Sequence, residues 1–328
     1  MQSVRVAAVQ HAPVVLDRAA SVEKGAALID EAARGGADLV VFPETWLPGY
    51  PFWIFGAGFH APGMQDVHAR LLRNSVRVPS ESTEVICEAA RRNRVHVVMG
   101  LNELGDSAGT IYNSLLYVSR DGEILGVHRK LTPTSAERMV WGVGDGSTLH
   151  VFDTDVGRLG GLICWEHWMP LARFAMHARG EHIHVAAWPE LPEIHQLAAR
   201  TYAFEGRCFV VCAGMYLPET AMPRDFEAPE AVRALADTYS SEPGVLLPGG
   251  SGVIGPDGNW IAGPAGNEET IVYGDVDLEA IPSAFQALDV VGHYNRPDVF
   301  QLTVDVRPRS PLVWRDDTIA DAAAGDDG

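Results

Sequence analysis

Short, wholly apolar runs recur along this chain, each beside a stretch of helical spacing or a turn built on Asp-Gly. That rhythm constrains the fold more than any other feature. Residues 38–42 contain Leu39-Val40-Val41-Phe42, and residues 159–163 are Leu159-Gly160-Gly161-Leu162-Ile163. Such strands belong in a sheet covered on at least one face. Residues 4–10, 95–101, 183–187, 209–214 and 271–276 read as further strands, and residues 18–34, 82–93, 170–179 and 193–206 as helices. Gly35-Gly36 closes the first helix, and Pro170 opens the third where proline is tolerated. Parallel strand–helix–strand units need no hairpins, yet Asp121-Gly122 joins residues 111–118 to 124–128, and Asp257-Gly258 centres a second hairpin. The sheets should therefore be mixed, within a layered α/β domain. Residues 48–63 and 217–250 read as loops or insertions, the second rich in proline and acidic residues. No internal repeat is evident.

At 328 residues and 47% hydrophobic content, the chain can bury a substantial core. Its formal net charge of −18 leaves no excess of Lys and Arg to neutralise phosphates, which argues against nucleic acid and anionic membranes as partners. Part of that charge lies in Asp316, Asp317, Asp321, Asp326 and Asp327, so residues 316–328 are expected to form an acidic, disordered tail. Four cysteines without a Cys-x-x-Cys pair do not make a disulfide scaffold, and they fit a reducing cytoplasm. The opening Met-Gln-Ser-Val-Arg-Val lacks a signal-peptide pattern, and no apolar run approaches the ~20 residues that span a bilayer.

Three reactive side chains stand at the ends of apolar strands. Cys164 follows residues 159–163 and precedes a helix by a few residues. A strand-to-helix turn can project a nucleophile and offer backbone N–H groups to an oxyanion, although a lone cysteine also reads as core packing. A free thiol has a pKa of about 8.5 and attacks well only as thiolate, so it needs a base or a cation. Glu44 follows Leu39-Val40-Val41-Phe42-Pro43, and Lys130 follows the strand at residues 124–128. Taken singly, Glu44 reads equally as a capping carboxylate and Lys130 as a solvated lysine. The hypothesis rests on their convergence.

Phe42-Pro43-Glu44, His128-Arg129-Lys130-Leu131 and Cys164-Trp165-Glu166-His167 resemble, in order and separation, the three motifs of the nitrilase superfamily of carbon–nitrogen hydrolases. The resemblance runs from the first strand to His293-Tyr294-Asn295-Arg296-Pro297-Asp298. It implies a four-layer αββα sandwich with mixed sheets, a single catalytic domain over residues 1–315, and a Glu44-Lys130-Cys164 triad. Cys164-Trp165-Glu166, Lys130-Leu131-Thr132-Pro133-Thr134 with Glu137-Arg138, and Trp141-Gly142-Val143-Gly144-Asp145-Gly146 are similar to the nitrilase branch, which places a second active-site carboxylate at Glu137.

That branch implies hydrolysis of a nitrile to acid and ammonia through a thioimidate and a thioester on Cys164, with no cofactor. Trp165, Trp188, Tyr50 and Thr134 are the expected substrate contacts, and Trp53 reads equally as core. Homo-oligomers are expected, dimers or larger assemblies including spirals, with residues 48–63 and 217–250 as candidate contacts. An amidase or cyanide hydratase with the same triad, and a catalytically silent binding protein of this fold, are the competing readings. The intact triad argues against the last.

Other signals fall away. Gly250-x-Gly252-x-x-Gly255 is followed by a turn and a strand, not by the helix that dinucleotide binding requires. His182-x-His184 lacks a third ligand motif, so no metal site is expected. Cys208 and Cys212 read as core, and Glu166 and His167 as braces of the nucleophile turn.

Overall fold

The computed structural model describes residues 3–58, 60–107, 109–239 and 242–309. The expected acidic tail at 316–328 lies outside them. Fourteen strands are described: β1 (Ser3–Val9), β2 (Leu39–Val41), β3 (His96–Leu104), β4 (Ile111–Val118), β5 (Ile124–Arg129), β6 (Val151–Thr154), β7 (Gly157–Ile163), β8 (Ile183–Ala187), β9 (Phe209–Ala213), β10 (Tyr216–Pro218), β11 (Val245–Pro248), β12 (Gly252–Ile254), β13 (Trp260–Ala262) and β14 (Ile271–Asp277). The helices are α1 (Arg18–Arg34), α2 (Met64–Asn74), α3 (Glu81–Asn93), α4 (Pro170–Ala178), α5 (Glu193–Gly206), α6 (Pro229–Tyr239) and α7 (Ala280–Ala284).

Two six-stranded sheets repeat one plan, in the orders β14-β1-β2-β3-β4-β5 and β13-β12-β9-β8-β7-β6. Each has a parallel trio, β1-β2-β3 or β7-β8-β9, flanked by antiparallel strands. The sheets are thus mixed, and the Asp-Gly turns sit where the hairpins close, between β4 and β5 and between β12 and β13.

Alternation sorts the layers. On β1, Val4, Val6 and Ala8 join the core shared with β7, β8 and β9, whereas Ala7 and Val9 join the core under α1 and α3. Leu39 and Val41 face the first of these cores and Val40 the second, so a three-residue strand is buried on both faces. This explains its lack of polar alternation. α4 and α5 bury Met176, Ala198, Ala199, Tyr202 and Ala203 against the second sheet, completing an αββα sandwich. A fully buried Val or Leu side chain contributes roughly 1.5–3 kcal/mol, so these layers carry much of the driving force for folding.

Gly35 ends α1, as its glycine pair indicated, and at the other end Asp17 caps the helix by accepting the N–H of Ala20 at 3.0 Å. Pro170 occupies the first turn of α4.

Residues 48–63 and 217–250 are not simple loops. A 3₁₀ turn, Phe52–Phe55, lies in the first. The second contains β10, β11 and α6. They pack on each other: the rings of Trp53 and Phe226 meet edge-on with centroids 5.3 Å apart, and Arg70 of α2 pairs with Asp225 and Glu227. Proline and acidic residues disguised elements whose stability comes from this tertiary contact.

Candidate active site

The parallel strands aim their carboxyl ends at one region, where sites of α/β sheets usually lie. Glu44 stands just beyond β2, Lys130 directly after β5, and Cys164 directly after β7. The Glu44 N–H donates to the carbonyl of Trp188 just beyond β8 at 3.2 Å, joining the strand ends of the two sheets. Gly100 on β3 permits that path. A Cβ there would sit 2.0 Å from the Pro43 carbonyl oxygen and 2.6 Å from the Thr45 nitrogen.

The Lys130 ammonium is wholly buried and donates to Glu44 Oε1 at 2.8 Å and to Glu137 Oε2 at 2.7 Å. Asn113 of β4 donates to the same Glu44 oxygen at 2.6 Å. Glu44 Oε2 is buried and has no hydrogen-bond partner among the described residues. A carboxylate oxygen of Glu44, one of Glu137 and the sulfur of Cys164 lie within 4.8 Å of one another. Glu137 is held by the Tyr50 hydroxyl at 2.6 Å and the Thr134 N–H at 2.6 Å. A cation could use the same three atoms, but the Lys130 ammonium already supplies positive charge between the two carboxylates.

Cys164 opens a 3₁₀ turn, Cys164–Trp168, with φ at +52°, a left-handed conformation that costs a residue with a side chain about 1–2 kcal/mol. Thr45 (φ +42°) and Ser135 (φ +49°) flank Glu44 and Glu137 in the same backbone region. Strain of this kind clusters where geometry serves function. The turn is braced by Glu166, which accepts from the N–H groups of Ile163 at 2.7 Å and Leu131 at 2.8 Å and pairs with His128 at 2.9 Å. One buried carboxylate thus ties the segment bearing Cys164 to the segment bearing Lys130.

Beneath the turn runs a buried chain. His167 Nδ1 lies 2.7 Å from the Cys164 carbonyl oxygen, His167 Nε2 lies 3.1 Å from His184 Nε2, and His184 Nδ1 lies 2.8 Å from Glu181 Oε1. Tyr202 donates to the other Glu181 oxygen at 2.5 Å. A carbonyl can only accept, so Nδ1 of His167 carries the proton. In the neutral ring Nε2 then accepts, His184 donates from Nε2, and one proton is shared between His184 Nδ1 and Glu181. Burial pushes Glu181 up to about 7 and His167 down to about 3, and it lowers His184.

Burial also raises Glu44 to about 7. Lys130 opposes that shift, and the neighbouring Glu137 carboxylate reinforces it. Burial, with the Glu44 carboxylate second, lifts the Cys164 thiol well above its ordinary range. Lys130 and the Trp165 N–H pull the other way. Burial alone would discharge Lys130, but Glu44, Cys164 and Glu137 hold it protonated and raise its pKa. At neutral pH the site therefore holds a thiol, a charged ammonium and a carboxylate poised near neutrality. A base with a pKa near the working pH is best suited to take up a proton and release it again.

Cys164 and Glu137 open into a cavity of about 380 Å³, whose walls include Phe52, Phe55, Trp165, Pro189, Leu246 and Leu247. Tyr50 and Thr134 line it as well. Trp165 is 51% exposed at its rim. Trp188 does not line it. That ring is fully buried, stacked between His167 (4.9 Å) and His195 (4.4 Å), and its neighbours Pro189 and Glu190 form the wall instead. Trp53 is buried against Phe52 and Phe226, away from Cys164. Sequence reasoning passed over Asn113, Glu190, His195 and the β11 residues Leu246 and Leu247. Only Asn113 left a trace, as a polar residue inside the apolar run of β4.

A profile of the carbon–nitrogen hydrolase family matches residues 5–284. The chain is 41% identical over 318 residues to a protein named Nitrilase 2 from an unknown prokaryotic organism, covering 95% of this chain and 96% of that one. It is 41% identical over 322 residues to an aliphatic nitrilase of Sinorhizobium fredii, covering 96% of this chain and all of that protein (100%). Among solved structures, Nit3 of Saccharomyces cerevisiae, a member of branch 10 of the nitrilase superfamily, superposes with a TM-score of 0.69 at 22% identity, covering 90% of this chain and 97% of that one. At that identity the likeness concerns the fold.

Proposed function

The chain belongs to the carbon–nitrogen hydrolase family and is a hydrolase of the nitrilase type, and from that premise we propose that Cys164 is its nucleophile, Glu44 its general base and Lys130 its electrostatic stabiliser. The observation that carries this reading is the buried cluster in which a Glu44 carboxylate oxygen, a Glu137 carboxylate oxygen and the Cys164 sulfur lie within 4.8 Å of one another, with Glu44 Oε2 left without a hydrogen-bond partner among the described residues. Its other oxygen is held by Asn113 and Lys130, so the free one is left to take a proton.

Glu44 removes the thiol proton as sulfur adds to the cyano carbon, and the nitrogen is protonated to give a thioimidate. Water, activated by Glu44, adds to that carbon. The tetrahedral species expels ammonia and leaves a thioester, and a second water releases the carboxylic acid. An ammonium has three N–H donors, and two of those on Lys130 are spent on Glu44 and Glu137. The third, with the Trp165 N–H beside the sulfur, supports charge developing on the substrate. Glu137, fixed by Tyr50 and Thr134, keeps Lys130 charged and in place.

The test is ammonia release and acid formation from an organic nitrile. The wild-type enzyme should yield both, and Cys164→Ala neither, while keeping its circular dichroism spectrum. A thiol electrophile should label Cys164, and the nitrile should slow that labelling. Turnover by Cys164→Ala would refute the assignment.

Two further readings accompany this one. Four free, buried cysteines suit a cytoplasmic setting. Among the described residues no helix is long and apolar enough to cross a membrane. Association into homo-oligomers is supported by Leu171 of α4 and Ile194, Leu197 and Phe204 of α5, large apolar residues between 45% and 66% exposed on adjoining helices.

A further inference from the structure

We infer that Glu190 selects the substrate: its carboxylate receives the far end of a nitrile bearing a hydrogen-bond donor, an ammonium above all. The inference rests on the function proposed above and deepens it.

The cavity over Cys164 has mostly apolar walls, and its aromatic and charged polar side chains other than Glu190 are engaged. The Tyr50 hydroxyl donates to Glu137. Both Glu137 oxygens are occupied by Tyr50, Lys130 and Thr134. His195 accepts from the Trp165 indole N–H at 3.2 Å and meets the Glu190 carbonyl at 3.2 Å, which uses both ring nitrogens. Thr134 donates its main-chain N–H to Glu137 and makes no cap hydrogen bond with its side chain. Ser135 carries an exposed hydroxyl. Glu190 is different. The residue lines the cavity, is only partly open to solvent, and its carboxyl accepts no hydrogen bond from any described residue.

A carboxylate in an apolar enclosure is costly unless something pairs with it. Burial is the sole cause of its shift to about 7, with no protein cation opposing it. A purely apolar substrate would close the cavity and strand this group. A substrate ending in an ammonium would complete it with a charge-assisted hydrogen bond and hold it ionised. Rejection of ligands that leave a buried polar group unpaired is a strong source of specificity. Glu190 stands two residues beyond Trp188, whose carbonyl positions Glu44, so the wall that would read the substrate is joined to the strand end that positions the base.

The test pairs aminoalkyl nitriles with alkyl nitriles in which a methyl group replaces the ammonium, at several chain lengths, in the wild-type enzyme and Glu190→Gln. At the chain length that fits best, the ratio of kcat/KM for the amino over the alkyl member should fall about tenfold or more in the variant, mainly through KM. Hydroxyalkyl nitriles should lose less, because the amide oxygen of glutamine still accepts from a hydroxyl. Electrophile labelling of Cys164 in Glu190→Gln reports whether the site is intact. A ratio that Glu190→Gln leaves unmoved at every chain length, in an enzyme that hydrolyses both members, overturns the role of Glu190 alone. Wild-type enzyme that releases ammonia from no member of either series overturns the nitrile reading and this inference with it.

Discussion

The two oxygens of Glu44 divide the labour. Oε1 is anchored by Asn113 and Lys130, and Oε2 is unmatched among the described residues, on a carboxylate that clusters with a thiol that burial keeps protonated. Glu44→Gln keeps an oxygen to accept from Asn113 and Lys130 but cannot take a proton. It should therefore reduce kcat by about 10²–10⁴ with little change in the unfolding midpoint, as steady-state ammonia assays and chemical denaturation would show. Lys130→Ala removes the cation between two buried carboxylates and should abolish detectable turnover. It should also destabilise the fold by several kcal/mol, because one partner of a buried ion pair is lost. Lys130→Ala with only mildly reduced activity would demote this residue to support. The residues that carry these arguments were legible in the sequence because each stands just beyond the end of a strand. The cavity wall was not, because residues 50–55, 189–195 and 246–247 come from segments far apart in the chain. Trp188 shows the limit: its place after a strand end was readable, but the burial of its ring between two histidines was a matter of packing.

At the scale of elements, the apolar strands and several helices were readable because burial on both faces erases alternation and because Gly35 and Pro170 act locally. α2 and α6 were missed for different reasons. Met64, Val67 and Leu71 of α2 do recur at helical spacing, but within a segment rich in polar residues. α6 opens with proline and carries Glu230 in its first turn, both helix-start signals, but it lies in a segment whose proline and acidic content read as a loop. The 3₁₀ turn at Cys164 depends on the buried histidine chain beneath it, and that chain makes a pH prediction. Unfolded His167 takes up a proton near its ordinary pKa of about 6.5, whereas the folded residue resists to about 3. The stability it contributes is therefore complete above 6.5 and is lost as pH falls below that value. His184 is depressed in the same sense, but Glu181, raised to about 7, places a compensating proton on the folded pair. Denaturation followed by circular dichroism between pH 6.5 and 5 should show falling stability. His167→Gln, which retains a donor for the Cys164 carbonyl, should reduce that slope by one proton, ~1.4 kcal/mol per pH unit. Equal slopes for the two proteins would mean that His167 is not held neutral.

At the scale of the molecule, the exposed apolar residues of α4 and α5 lie on the layer that covers the second sheet, directly behind the nucleophile turn. Light scattering coupled to size exclusion should show a dimer or larger species. Placing charge there, as Leu197→Glu with Phe204→Glu, should shift it toward monomer. A wild-type chain that elutes only as monomer would remove the oligomer reading. Residues 48–63 and 217–250, expected from sequence as contact regions, also meet each other within the chain through Trp53 and Phe226.

Neither layer of strands owns the whole proposed reaction centre, because Glu44 and Lys130 issue from one and Cys164 from the other, with the Glu44 amide fastened to the Trp188 carbonyl across the seam. Turnover is consequently a gauge of how fully the two halves have docked. In a refolding experiment, ammonia production should recover after backbone ellipticity, in step with burial of the seam, and mild denaturant should silence the enzyme before its secondary structure melts.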